Sequence, residues 1–576
     1  MRFPNHHLNT LFFGIILGIF SCAESNAQFL KKKDTKINID QLQKAEEYFT
    51  EGVKEYAIEN FAKSLVAFEK SLDLNNTSGA TYYMIAQIYN KQGNLYKAIQ
   101  YAQKAVSLDE TNKYYYLVLA QTYYRKQDFV ESAKVYQSLL KKVPNTVEYN
   151  EDLASIYKSL GKFEDAIKCY DKMEKVLGVS EELIRVKQEL YLKLNKLDDA
   201  VAQGKKLIEA YPDEPRYLIG QIELLLNNDK ITEAEKLANE LLAKDPASPY
   251  GILFLSDIYR VKGDERKSIE YQERAFRAVQ LDIDIKIGIL INKIRQLPND
   301  EVKKQCLNLG EILTKTHPND PKALAMYADI LTLSGNSREA LEYYLQAIRL
   351  DNSHFKIWQQ IALLDHELNL IDSLKSHSEK ALELFPNQTI FWFYNGLANQ
   401  IQHNYKKSTY AFEEGKKLAG NDRNLLLQFN TMLGDSYNGV KDYKRSDDAF
   451  EEALKLDANN YIVLNNYSYY LSVRKDKLDY AKKLSEKVIK ENPDNATYLD
   501  TYAWILYVMK DYIKAKEIFE KIVDKSNNGT IVEHYGDVLY QLGDKDKALE
   551  IWKKAKQLGE ASEFIDKKIA DKKLYE

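Results

Sequence analysis

The sequence predicts an all-α solenoid, a stack of about fifteen helix–turn–helix units, and three observations predict it. Paired amphipathic helical patterns recur along the chain at a period of 34 residues. One phase of that period carries only small residues, Ser64, Ala98, Ser132, Ala166, Ala200, Ala234 and Ser268, a coincidence that unrelated amphipathic helices would not hold. With only 11 Pro and 23 Gly among 576 residues, little length is left for strands or long loops. A single compact core is excluded at this length, because globular cores stop growing well below it. A stack escapes the limit because each unit contacts only its neighbours.

The unit from Gly79 to Asn112 shows how one copy is built. Tyr82, Ile85, Ala86 and Tyr89 share a face of its first helix, and Ala98, Ala102 and Ala105 share a face of its second. Gly93-Asn94 supplies the break, since glycine accepts backbone angles that end a helix and asparagine tolerates them nearly as well. Alanine at 86, 98 and 105 lets helix backbones approach, while Tyr and Ile fill the remaining space. Helices this short are marginal alone, so the unit requires copies of itself on either side. The spacing of Ala86, Tyr89, Gly93, Ala98 and Ala105 resembles the tetratricopeptide repeat, whose 34-residue pattern places small and aromatic residues at these offsets. The resemblance implies a right-handed α-solenoid whose first helices line a concave groove that binds extended peptides or partner helices.

Residues 1–27 read as a signal peptide. Arg2 is the only certain charge before the apolar run Leu11 to Phe20, which is too short to span a bilayer stably and suits a signal-peptide core. Two processing readings stay open. Ser25-Asn26-Ala27 before Gln28 has small residues at both positions a signal peptidase reads. Ile19-Phe20-Ser21-Cys22 resembles a bacterial lipobox, with Phe20 departing from it, and implies removal of residues 1–21 and acylation of Cys22. Either route takes the mature protein out of the cytoplasm. Residues 28–44 are a polar linker and the start of the array, with Lys31-Lys32-Lys33 a solvated charge run.

Seven regular units follow over residues 45–282, starting near 45, 79, 113, 147, 181, 215 and 249 without insertion or deletion. Pro144, Pro212 and Pro246 sit at one offset near the end of a unit, where a ring that cannot continue a helix is useful. Phe61, Leu95, Phe129, Phe163, Leu197 and Ile231 open the second helices in register. The pattern slips over residues 283–320, a degenerate helical pair in which Leu297-Pro298-Asn299-Asp300 replaces the usual turn and four residues are in excess. Units near 321, 355 and 389 cover residues 321–426, marked by Ala340, Ala347, Ala381 and Pro386. A second excess of four falls around Leu418 to Arg423, where Gly420-Asn421-Asp422 signals a turn. Four further units occupy residues 427–559. Residues 560–576 are expected to form a capping helix, with Phe564, Ile565 and Ile569 on one side and Lys567, Lys568, Lys572 and Lys573 elsewhere, giving the open end a polar face.

The search for chemistry points away from catalysis. Mixed charge, 81 basic against 85 acidic residues, leaves no basic stripe for nucleic acid. There is no P-loop, no GxGxxG after a strand, no HExxH and no CxxC, so no cofactor is expected. His354, His366 and His377 are close in sequence, yet the phase puts them in a loop, a first helix and a second helix, which is not an i, i+4 metal pair. They read as surface or boundary residues. Acidic residues read as helix-surface charges set three or four residues from lysine, as in Glu164 and Lys168. Cys169 and Cys306 fall in units too far apart for a disulfide and are expected as buried free thiols.

A recognition surface remains. By phase, the inward positions of the second and third units are Tyr83, Gln87, Asn90, Tyr114, Gln121 and Tyr124. Amide side chains can donate to and accept from a peptide backbone, and tyrosines offer rigid, amphipathic contact area. Ordinary use of Tyr and Gln at these offsets is the competing account. The family's carboxylate clamp is not recovered, since Phe49 and Val53 stand at its positions in the first unit. The segments LNNYSYYLS, YLDTYAWILY and EHYGDVLYQLGDKDKALEIWKKA resemble the C-terminal block of many bacterial envelope tetratricopeptide proteins. They put Asn465, Tyr469, Asp500, Trp504, Tyr507, Glu533, Asp537 and Tyr540 towards the groove as a second surface, an aromatic anchor ringed by polar groups. Structural packing of the large aromatics competes with that account too.

These readings converge on an exported bacterial protein, periplasmic or outer-membrane-associated. It would act as a non-catalytic scaffold or adaptor that holds other proteins in its groove, within an outer-membrane assembly or secretion complex. Membrane contact is expected only through a lipid anchor at Cys22. A periplasmic holdase for unfolded clients is the second reading and an enzyme the third.

Overall fold

The computed structural model describes residues 39–575. The signal-peptide reading, Cys22 and Lys31 to Lys33 lie outside the described residues. The chain divides into two compact units, residues 1–268 and 269–576. In the first, helices follow in pairs: α1 (Ile39–Ala57) with α2 (Phe61–Leu74), α3 (Gly79–Lys91) with α4 (Leu95–Leu108), α5 (Lys113–Arg125) with α6 (Phe129–Lys142), α7 (Asn150–Ser159) with α8 (Phe163–Leu177), α9 (Glu181–Lys193) with α10 (Leu197–Ala210), and α11 (Pro215–Leu226) with α12 (Ile231–Lys244). Then come α13 (Pro249–Val261) and α14 (Glu265–Arg277), the latter running across the division.

The second unit continues with α15 (Ile283–Ile294) and α16 (Asp300–Thr316), α17 (Pro321–Leu333) and α18 (Ser337–Leu350), α19 (Phe355–Glu367) and α20 (Ile371–Leu384), and α21 (Thr389–Ile401) and α22 (Tyr405–Leu418). After these stand α23 (Arg423–Gly439) and α24 (Tyr443–Leu456), α25 (Tyr461–Val473) and α26 (Leu478–Glu491), α27 (Ala496–Val508) and α28 (Tyr512–Ile522), α29 (Gly529–Gln541) and α30 (Lys545–Leu558), and a lone α31 (Ile565–Asp571). The architecture is the all-α solenoid that the spacing predicts.

Two local devices make each pair. Within the turn, one residue adopts a left-handed backbone, with φ of +80° at Gly93, +70° at Gly161, +77° at Gly263 and +91° at Gly543. Glycine takes this conformation without steric penalty, whereas Gln127, Lys441 and Lys510 hold it at a cost of about 1–2 kcal/mol each. Next to the turn stands a cap: the side chains of Asn94, Asp128, Asp442, Asp511 and Asp544 accept from the backbone N–H three residues on, which starts the second helix.

Close approach of the two helices decides the packing. Ala98, Ala102 and Ala105 are fully buried. A Cβ added at Gly52, Gly396, Gly434 or Gly536 would stand 2.5 Å from a ring atom of Phe68, Phe412, Phe450 or Trp552 respectively, each aromatic lying sixteen residues after its glycine. Where the small position is serine, size is only half its role. Ser64 Oγ donates to the Gly52 carbonyl at 2.7 Å, Ser132 to Ala120 at 2.8 Å and Ser446 to Gly434 at 2.7 Å, so the hydroxyl ties second helix to first.

Several sequence expectations need correction. Lys168 pairs with Asp165 at 2.9 Å, not with Glu164, which reaches Lys196 of the next pair. The turn signalled by Gly420-Asn421-Asp422 is present, with Gly420 at φ +56°, and the excess of four lengthens α23 to 17 residues, capped by Asp422 Oδ1 on the Asn424 and Leu425 N–H groups. His377 is more than a boundary residue, since its Nδ1 lies 2.6 Å from Asp365, a fully buried carboxylate. In the degenerate pair, Lys286 is fully buried on α15 and donates to the Phe276 and Ala278 carbonyls at 2.9 and 2.8 Å, tying down the end of α14. Burial pulls this amine down to about 8. Cys169 and Cys306 are buried and free.

Replacing Ala98 by Leu, which has no space in this packing, is expected to destabilise by about 1–3 kcal/mol. Lys97→Ala on the exposed face should cost below about 1 kcal/mol, the scale of its contacts with the Tyr89 ring and hydroxyl. Urea unfolding of the two variants checks the difference, and equal losses would contradict the assigned faces.

Candidate functional site

The two candidate surfaces differ in how far the chain satisfies its own side chains. In the first, Tyr83 on α3 is half-buried, accepts from Gln87 Nε2, and packs its ring 5.4 Å from that of Tyr115. Gln87 Oε1 in turn accepts from Tyr56 Oη on α1 at 2.9 Å. Burial raises the Tyr83 phenol well above the ordinary tyrosine range, so it stays a neutral hydrogen-bonding group. Asn90 is held from α5, where Arg125 Nη1 donates to its side-chain oxygen and, at 2.6 Å, to its carbonyl. On α5 itself, Tyr114 and Tyr124 are half-buried and Gln121 is exposed. Tyr124 stacks edge-on against Phe129 at 5.2 Å, and Lys113 stands 5.6 Å over Tyr114. The structure thus links Tyr83 and Gln87 directly and holds Asn90 separately. Tyr56 was missed by sequence reasoning although it precedes Asn90 by one period, and Arg125 was missed because its contact crosses between units.

The second surface is closed by the chain itself. Glu533 and Asp537, expected to face a partner, are 2 % and 1 % exposed, and Lys568 of α31, expected on a polar outer face, is 3 % exposed between them. Lys568 Nζ lies 2.8 Å from Glu533 Oε1 and 2.7 Å from Asp537 Oδ2. Ser562 donates to Glu533 through its N–H at 2.6 Å and its hydroxyl at 2.5 Å, and Trp552 Nε1 donates to Asp537 at 2.8 Å. Burial works against both carboxylates. In Glu533 the Lys568 and Ser562 bonds win and hold its pKa below the usual range, whereas in Asp537 burial wins over Lys568 and pushes it up to about 6.

One joint back along the chain, His534 Nδ1 lies 2.8 Å from Asp500 Oδ1, and two joints before that Asn466 Nδ2 donates to Asp435 at 3.3 Å. Asp500, His534 and Lys568 follow at 34-residue steps, so α31 stands where the first helix of a further pair would. The His534 ring stacks on Trp504 at 4.1 Å, and Trp504 on Tyr507 at 4.8 Å. Tyr469 and Tyr540 are half-buried, Asn465 and Tyr507 buried. Trp504 Nε1 and Asn465 Oδ1 are buried without a hydrogen-bond partner. The expected outward ring of polar groups is therefore an internal joint. The signal that could have found it is the lysine one period after His534.

Among the described residues, no group of three or more His, Cys, Asp and Glu side chains is placed to hold a metal ion, and no helix is long and apolar enough to cross a membrane.

Comparison with known families agrees with this geometry. One model described as a tetratricopeptide repeat matches residues 80–112, 321–354 and 427–460, and a second of the same description matches 117–175 and 189–249. The chain is a tetratricopeptide-repeat protein. The matched stretches lie in both compact units, and they include α3 from residue 80 and α5 from residue 117. No curated protein matches the chain. Similar solved structures include one of Naa15/Naa10 bound to HypK-THB, 14 % identical over 92 % of this chain and 99 % of the other with a TM-score of 0.34. Yeast Tom70 is 17 % identical over 86 % and 95 % with a TM-score of 0.30, and a tetratricopeptide repeat protein from Parabacteroides merdae is 14 % identical over 44 % and 98 % with a TM-score of 0.38.

Removing the ammonium with Lys568→Met should strand two buried carboxylates and cost about 3–5 kcal/mol. Hydrogen exchange over residues 560–575 would show it as lost protection confined to that end, and unchanged exchange would mean that the ion pair does not hold α31.

Proposed function

We propose that this tetratricopeptide-repeat protein is a non-catalytic protein–protein interaction scaffold that holds a peptide or helical partner segment on the first helices of its second and third pairs. The observation that carries the reading is the contrast between the two surfaces. Glu533 and Asp537 are consumed by Lys568, whereas Gln121 is exposed between half-buried Tyr114 and Tyr124. Beside them, Tyr83, Gln87 and Tyr56 are already held by one another, so a partner would meet side chains whose rotamer entropy is largely spent. Tyrosine and amide side chains suit a main chain that needs both donors and acceptors. Export to the bacterial envelope is part of the proposal, supported by the apolar run Leu11 to Phe20 and the small residues before Gln28.

A photocrosslinking amino acid at position 121 tests this. One or a few defined protein adducts are expected in envelope fractions, lost when Tyr114 and Tyr124 are replaced by alanine while the circular dichroism of the protein is unchanged. A continuous smear of adducts insensitive to those replacements would favour the holdase reading and overturn the scaffold.

A further inference from the structure

Outside the proposed partner surface, the second compact unit contains a buried charge cluster that no binding role uses. We infer that Asp500, His534 and Trp504 form a proton-operated latch, in which protonated His534 locks α29 onto α27 and loss of that proton loosens α29, α30 and α31 together.

The geometry sets up the device. His534 is 8 % exposed, bonded through Nδ1 to Asp500 at 2.8 Å, and lies nearly parallel to the Trp504 indole, with rings 4.1 Å apart and 24° between planes. An imidazolium in that position gains charge attraction from both the carboxylate and the indole face, whereas a neutral imidazole keeps at most the Nδ1–H hydrogen bond and the ring stack. The charged groups around it are Asp500 from α27, Glu533 and Asp537 from its own helix, and Lys568 from α31. The rings of Trp504, Tyr507 and Phe519 close the remainder. With both bases protonated, two positive groups face three carboxylates. Without the histidine proton, Lys568 alone faces all three in a buried site, where unbalanced charge is costly.

The sign follows from the same contacts. Burial alone would lower the imidazole pKa, but Asp500, with Asp537 and Glu533 behind it, raises it above the ordinary value. The contribution of the latch is therefore complete below the ordinary histidine pKa of about 6.5 and is lost as pH rises through the raised folded value. The Asp537 pKa is also raised, to about 6, so its contribution too is lost as pH rises, but between the ordinary carboxylate pKa of about 3.9 and about 6, and the two events separate by pH range.

Hydrogen exchange of the full chain, corrected for intrinsic rates, tests the latch from about pH 6 to about pH 9, with peptides over residues 79–125 as an internal reference. Protection of residues 529–575 should fall about tenfold or more across that range in the wild type, with the reference unchanged. It should stay flat in His534→Gln, which keeps a donor for Asp500 but cannot titrate. A flat wild-type profile, or the same fall in the variant, would overturn the latch. Should His534→Gln fail to fold, NMR of the labelled histidines in the wild type decides. A His534 midpoint above that of free histidine supports the latch, and one at or below it refutes it.

Discussion

Each helix pair depends on how near its two backbones can come. A glycine, alanine or serine on the first helix leaves room for a residue sixteen positions later, and where that residue is Phe68, Phe412, Phe450 or Trp552 even one methyl group would collide with the ring. Everything else in the pair follows from that approach. The turn must be tight, which puts a left-handed residue in it. The second helix must start at once, which makes an Asx cap useful. Serine hydroxyls become able to reach the facing carbonyl at 2.7–2.8 Å. Because each contact is local and repeated, the chain can grow in length without enlarging a single core.

Along the stack the joints differ in chemistry. The early pairs carry tyrosines and amides between first helices, with Tyr56, Gln87 and Tyr83 in one chain of hydrogen bonds. Towards the C-terminus carboxylates take over: Asp435 meets Asn466, Asp500 meets His534, and Glu533 with Asp537 meets Lys568. Each such contact is a charged or polar group satisfied by the next first helix. Buried ionic pairs of this kind contribute little net stability against apolar alternatives but penalise misalignment strongly, since a mismatched unit would leave a charge unpaired. That makes them suited to defining register, and it accounts for the polar residues buried on α27 and α29, where a repeat built only for packing would place apolar ones.

The end of the solenoid shows the same economy. Without a further first helix beside it, α29 would expose its joint, and the seven-residue α31 closes it by bringing Lys568 between Glu533 and Asp537. Ser562 adds two donors to Glu533 on the way, so the approach to α31 is fixed as well as the helix. The surface proposed for partners lies elsewhere, on α3 and α5, where Gln121 is exposed and the neighbouring side chains are already ordered.

The sequence alone was sufficient for the period, the helix pairs and the small positions, because these depend on local hydrophobic spacing and on residue size, both of which are written one residue at a time. It also picked the residues on the inner phase, but phase says only which way a side chain leaves its helix. Whether Glu533 waits for a partner or is already bound was decided by Lys568, a residue on another helix 35 positions away. Likewise Ser64 read as small and proved to be a hydrogen-bond donor, and the four-residue excess placed near Leu418 to Arg423 proved to lengthen α23 to 17 residues while Gly420-Asn421-Asp422 kept the turn. Those outcomes belong to tertiary structure because they turn on which donor and acceptor meet across two helices, and distances of that kind are set by packing, not by periodicity.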